Sequence, residues 1–147
     1  DIKMAGTLYI IRGLPGSGKS TLGESLASKT KKPVDHWSKW GEDQIHSYAA
    51  DDWFTDKDGN YNFNPAELTE AHDECQARTR GAMMSNVESI CACNTFSQAW
   101  EAEPYFKLCE QYDYTPVVLE CQSQFGNVHD VPQESIDAMK ERWEPLT

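Results

Sequence analysis

The nine residues from Gly13 to Thr21, GLPGSGKST, constrain this chain more than any other stretch. They follow the apolar, β-branched run Thr7 to Ile11, which reads as a buried strand. Beyond them Leu22 and Leu26 stand four residues apart, Lys29, Lys31 and Lys32 gather, and Pro33 halts the pattern. A helix is therefore predicted from the loop to that basic end. Glycines allow a backbone to wrap an anion with its N–H groups inward, where side chains would obstruct the approach. The segment satisfies G-x-x-x-x-G-K-[ST] in full, so the chain must deliver strand, tight loop and helix in that order.

The pattern assigns its own chemistry. Gly13, Pro15, Gly16, Ser17 and Gly18 would form a phosphate cradle at a helix N-terminus, whose dipole also favours anions. Lys19 would reach the outer phosphates, Ser20 would ligate Mg²⁺, and Thr21 would bond the inner phosphate. ATP and Mg²⁺ are thus the expected cofactors.

The rest of the chain alternates strand and helix signals. Residues 31–44 have no clear period and read as a long connection, in which Trp37 and Trp40 offer either base-stacking platforms or packing. Ile45 to Ala50 reads as a second strand ending on Asp51-Asp52. Asp58-Gly59 lies between Trp53-Phe54 and Tyr61-Phe63, as in a hairpin. Asn64, Pro65 and Glu67 form a helix start with a capping box; Leu68, Ala71, Cys75 and Ala82 then mark one face as far as about Ser85. Ser89 to Asn94 is apolar throughout and reads as a strand covered on both faces. A helix from Gln98 to Tyr112 carries Trp100, Phe106 and Cys109 as inward residues. The run TPVVLEC is the next strand, and Val131-Pro132 opens a last helix with Ile136, Met139 and Trp143. The fold class is α/β: P-loop NTPase-like, a mostly parallel sheet of about four or five strands flanked by helices, in a single domain over residues 1–147.

Composition limits the partners. A formal charge of −11 opposes non-specific adhesion to phosphate backbones and anionic lipid, while leaving room for one local basic pocket. Five cysteines without a CxxC pair suit reduced thiols and a cytoplasmic setting. No run approaches the roughly 20 apolar residues of a membrane span.

Asp51 follows a strand at the edge where such sheets gather ligand groups, and could accept the proton of an attacking hydroxyl or help hold the metal. Asp52 is as readily a structural hydrogen-bonding residue. With GLPGSGKST, ADDWF, the NT after the third strand, NVHDVP and ERWE, the chain resembles the small AAA-type P-loop kinases related to the kinase domain of bacteriophage polynucleotide 5′-kinase. The resemblance implies Lys19 and Ser20 on ATP and metal, Asp51 as general base, and transfer to a hydroxyl of a nucleic acid or nucleotide, a hydroxymethyl group of a modified DNA base included. The family's arginine three positions after that Asp is Phe54 here, and Gly126 precedes Asn127 where its lid usually carries arginine. Asn127 in the lid and Arg142 near the last helix's end are the remaining candidate nucleotide contacts; an ATP-binding module without efficient transfer and a small-molecule kinase are the rival readings.

Three further signals resolve to ordinary structure. Asp56, Asp58, Asn60, Asn62 and Glu67 match positions of a calcium loop, but Tyr61 replaces its glycine, so a turn is expected. Cys91 and Cys93 share a strand face and read as packing. Arg78, four residues after Glu74, reads as one partner of a helix-surface pair.

Overall fold

The computed structural model describes residues 6–31, 43–121 and 131–146. Within them the main sheet has four parallel strands in the order β4-β5-β1-β6, where β1 is Gly6–Gly13, β4 Ser47–Tyr48, β5 Ser89–Asn94 and β6 Tyr114–Cys121. The two central strands alternate between two cores. Leu8, Ile10, Ile90 and Ala92 face a core with Cys75, Ala82 and Met83 of helix α2 (Leu68–Met84) and Ala102, Tyr105 and Cys109 of α3 (Ala99–Tyr112). Ile11, Cys91 and Cys93 face the other side, where Leu22 and Leu26 of α1 (Lys19–Leu26) pack. Burial on both faces is why SICACN carries no alternation in its sequence, as expected of a central parallel strand. Helix α4 (Gln133–Glu141) buries Ile136.

Several local expectations are corrected. Helix α1 stops at Leu26, and the basic stretch is not its end: Ala27 is extended, and Lys29–Thr30 forms strand β2, antiparallel to β3 (Gln44–Ile45). Ser28 drives the change, donating its N–H to the Ser89 carbonyl and accepting from the N–H of His46. The single strand expected over residues 45–50 is split for the same reason. His46 bonds to Ser28 on one side and its carbonyl accepts from Cys91 on the other, so β3 serves the small sheet and β4 the main one. Ala50–Phe54 is then a 3₁₀ helix.

The hairpin reduces to one bridge, Thr55 to Tyr61, closed by Gly59 at φ 85°. Asp56 spends one oxygen on the N–H groups of Asp58 and Asn60, which is a turn and not a calcium loop. Asn64 caps its helix by accepting from the Ala66 N–H, but Glu67 answers to the Asn64 side chain and to Trp53 Nε1, and the first turn is 3₁₀. Leu68 and Trp100 are exposed, not inward. In α3 the buried stripe is Ala102, Tyr105 and Cys109; Trp100 falls off it and bonds Gln98 instead. Trp37, Trp40 and Asn127 lie outside the described residues.

Candidate active site

Strand β1 ends at Gly13 and the chain turns through Leu14 to Gly18 into α1. Gly16 and Gly18 have φ of 80° and 91°, values that side-chain-bearing residues rarely adopt, which is the physical need for glycine here. At Gly13 the need is space: a Cβ would lie 2.3 Å from Ser17 Oγ. Lys19 Nζ bends back over the loop, donating to the Gly13 carbonyl at 2.7 Å and the Leu14 carbonyl at 3.1 Å. Burial lowers the ammonium's pKa below its ordinary value, and the charge of Asp51 partly restores it. Ser17 Oγ is buried and has no hydrogen-bond partner among the described residues. An orphaned buried hydroxyl inside a glycine cradle fits a site that takes its last acceptor from a ligand.

Asp51 and Asp52 are set by tertiary contacts. The Ala50 N–H donates to Asn94 Oδ1 at 2.9 Å, tying the 3₁₀ helix to the end of β5. Asp52 Oδ2 accepts from the Ala49 N–H at 3.0 Å and from Arg78 Nη1 at 3.2 Å. Desolvation raises the Asp52 pKa, and the Ala49 bond and Arg78 oppose it. Asp51 Oδ1 instead accepts from the Tyr61 hydroxyl at 3.1 Å, which leaves the Tyr61 phenol pKa well above its ordinary value through burial and that carboxylate. The two adjacent carboxylates are thus held by different partners, Asp52 by the Ala49 N–H and Arg78 and Asp51 by the Tyr61 hydroxyl.

Two cavities flank the loop. One, of about 270 Å³, is lined by Ser20 and Glu24 of α1, Ser47 and Tyr48 of β4, Asp52 and Arg78. The other, of about 350 Å³, is lined by Leu14, Glu120, Cys121, Lys140 and Trp143. Sequence reasoning missed what shapes them. Arg78 is only 15% exposed, stacks 4.7 Å over the Tyr48 ring and pairs with Asp52 across 26 residues of chain; no local spacing signals that. Arg12 is buried, donates from Nε and Nη2 to the Phe96 carbonyl at 3.1 and 2.6 Å, and lies 4.1 Å over Trp143. Arg142 Nε donates to Ser97 Oγ at 2.9 Å, which fixes the end of α4 against the loop after β5. Cys93, at the end of β5, contacts Ser47 Oγ and the Lys19 carbonyl. Among the described residues no three His, Cys, Asp or Glu side chains converge as a metal site.

A parallel sheet whose first strand feeds a complete phosphate loop into a helix, with an acidic pair just beyond the edge strand β4, defines a P-loop protein of kinase-like fold. The chain belongs to the AAA domain family, whose model matches residues 8–146. It is 31% identical over 146 residues to human NEDD4-binding protein 2, covering 93% of this chain and 8% of that protein, so it spans under a tenth of that relative's length. Two solved structures share the fold. One, from Chloroflexus aurantiacus and described as a candidate kinase, gives a TM-score of 0.54 at 20% identity over 82% of this chain and 61% of that one. The other, APE1195, gives 0.52 at 15% identity over 99% and 83%. Among the described residues no helix is long and apolar enough to cross a membrane.

Proposed function

We propose that residues 1–147 form a single kinase domain that uses ATP and Mg²⁺ to phosphorylate a hydroxyl, the resemblance pointing to an acceptor of nucleic-acid or nucleotide type. When bound, MgATP supplies a transferable γ-phosphoryl group and most of the charge neutralisation that its transfer requires. The residues do the rest by position. The amides of Gly16 to Ser20 and the Thr21 hydroxyl bind phosphate oxygens, with the Ser17 hydroxyl gaining its missing partner. Lys19 exchanges its two loop carbonyls for phosphate. Ser20 and Asp51, hard oxygen donors, suit Mg²⁺ alongside phosphate and water oxygens. Asp51 would take the proton of the acceptor hydroxyl as that oxygen bonds to the γ-phosphorus and the bond to the bridging oxygen breaks, releasing ADP, while the Tyr61 hydroxyl donates to the carboxylate and orients it. The cavity between Leu14 and Trp143 takes the base, with Arg142 and Asn127 as further nucleotide contacts.

The observation that supports this reading is the phosphate loop itself: Gly16 and Gly18 at positive φ, Lys19 Nζ folded over the Gly13 and Leu14 carbonyls, and the buried Ser17 hydroxyl with no partner among the described residues. With γ-labelled ATP and a panel of hydroxyl acceptors, Asp51→Asn should cut transfer by about 100-fold or more while sparing ATP affinity, since a general base contributes about 10²–10⁴-fold. Lys19→Ala should weaken both. Unchanged turnover in Asp51→Asn would remove the assignment. A second reading, a module that holds ATP without efficient transfer, is favoured by Cys93 standing without a carboxylate at the end of β5; intact ATP binding with no transfer across the panel would select it.

A further inference from the structure

Asp51 is flanked by aromatic rings. Its Oδ1 accepts from the Tyr61 hydroxyl at 3.1 Å, so a second hydroxyl bonded to that oxygen at about 2.6–3.2 Å lies no more than about 6 Å from the phenol oxygen. Phe63 stands two residues beyond Tyr61, and both rings pack edge-on against Phe54, with centroids 6.2 Å away for Tyr61 and 5.0 Å for Phe63. Phe54 is the floor of this shelf, buried in one apolar cluster with Ala50 and Ala71. The resemblance places an arginine at this position, three beyond Asp51; the chain has the phenylalanine under two further rings instead.

The shelf is braced on both sides. Asn62 donates its N–H to the Phe54 carbonyl at 2.8 Å and Asp56 donates its N–H to the Asn60 carbonyl at 3.0 Å, which closes the turn by its own backbone. Asn64 then caps the next helix through the Ala66 N–H. Phe63 is held between these two anchors, yet it is 51% exposed. A ring fixed along one edge and bare over half its surface offers a face to another ring. Nucleobases stack on such side chains whatever their identity, because every base has a π-face. Stacking also needs no basic side chain, so it suits a chain of formal charge −11, for which adhesion through phosphates is opposed.

We infer that Phe63, with Tyr61 beside it, is the acceptor-binding shelf, and that it stacks the unpaired terminal base of a single-stranded nucleic acid, on the residue that presents its hydroxyl to Asp51. The inference rests on the kinase reading for where the hydroxyl goes, but the stacking is measured without turnover. The whole chain, saturated with a non-hydrolysable ATP analogue and Mg²⁺, should bind a 5′-hydroxyl oligothymidylate about tenfold more tightly than the same oligonucleotide with an abasic 5′-terminal residue, by NMR titration, as one base–aromatic stack supplies. Phe63→Ala should bring that ratio to about one without changing ATP affinity, and Phe63→Trp should restore it. In turnover, Phe63→Ala should raise KM for the base-bearing strand, whereas Tyr61→Phe, which keeps the ring and loses the bond to Asp51, should lower kcat and keep the ratio. Equal binding of the two strands by wild type, absence of binding by both, or an unchanged ratio in Phe63→Ala overturns the inference. If Phe63→Ala changes only the sedimentation of the protein, the shelf covers a second copy of the chain and the inference is likewise overturned. A ratio that holds with no transfer from MgATP to either strand removes the kinase reading and leaves the shelf; transfer indifferent to the terminal base, in wild type and Phe63→Ala alike, leaves the kinase and removes the shelf.

Discussion

Replacing Arg12 with Met tests how the end of the chain is held over the phosphate loop. Arg12 sits on β1 directly before Gly13, 3% exposed, with burial lowering its pKa and Glu120, Glu101 and Glu144 opposing that. Both donors to the Phe96 carbonyl converge on one acceptor, at a residue whose φ of 48° is unusual for a side chain of that size. A charged hydrogen bond of this kind contributes about 1.5–3 kcal/mol. The stacking on Trp143 adds about 0.5–2 kcal/mol. Glu120, 36% exposed and 3.6 Å away, adds about 0–1 kcal/mol because solvent screens it. Methionine fills much of the volume and removes the cost of burying a charge, so the net loss should be about 3 kcal/mol. In urea the midpoint should fall with the m-value unchanged. Thermally the same loss lowers Tm by roughly 6–12 °C for a chain of this size. Trp143 bonds Glu120 and lines the cavity beside Leu14, so ATP affinity should fall as well. Arg12→Lys, which keeps the charge but not the paired donors, should lie between. A loss below about 1 kcal/mol in Arg12→Met would show that the Phe96 carbonyl and Trp143 do not depend on this guanidinium.

Asn94→Ala strands the Ala50 N–H in a buried setting and should cost about 1–3 kcal/mol, with transfer falling further than ATP affinity because Asp51 rides on that helix; calorimetric unfolding and labelled-ATP assays separate the two. Gly23→Ala places a Cβ 2.4 Å from Ser47 Oγ and 2.7 Å from Cys93 Sγ, so α1 should be pushed off the sheet at about 1–3 kcal/mol, and Ser47→Ala in the same chain should recover part of it in urea titrations. Burial pushes the thiols of Cys75 and Cys91 up to about 12 and those of Cys93 and Cys109 up to about 11, from an ordinary value of 9.0. Their stabilising effect is whole below the unfolded thiol's pKa and is lost as pH rises toward the folded values, so Tm should decline steadily above about pH 9. A Tm that stays flat there contradicts the burial of these thiols. Native-state labelling with a thiol reagent should reach Cys121 before the other four, since it alone is not fully buried.

The sequence by itself determined whatever depends on neighbours along the chain. The phosphate loop was legible because its glycines answer a local backbone requirement, now visible as positive φ at Gly16 and Gly18, and because one lysine follows at fixed spacing. The central strand SICACN was legible because a strand covered on both faces can hold no polar alternation. Only the tertiary structure decided what depends on residues far apart in sequence. Ser28 could be assigned to a strand only once Ser89 and His46 lay beside it, which is why the end of α1 and the strand after it were misplaced. Trp100 was expected inward together with Phe106 and Cys109, but the rotation of α3 against the sheet buries Ala102 and Tyr105 alongside Cys109 and leaves Trp100 exposed. Asp51 and Asp52 are adjacent and chemically identical; Tyr61 on one and Arg78 on the other give them different surroundings, through contacts 10 and 26 residues away. Backbone propensity acts over a few residues, whereas the charge and hydrogen bonding that tune a site come from whichever groups the packed sheet brings within reach.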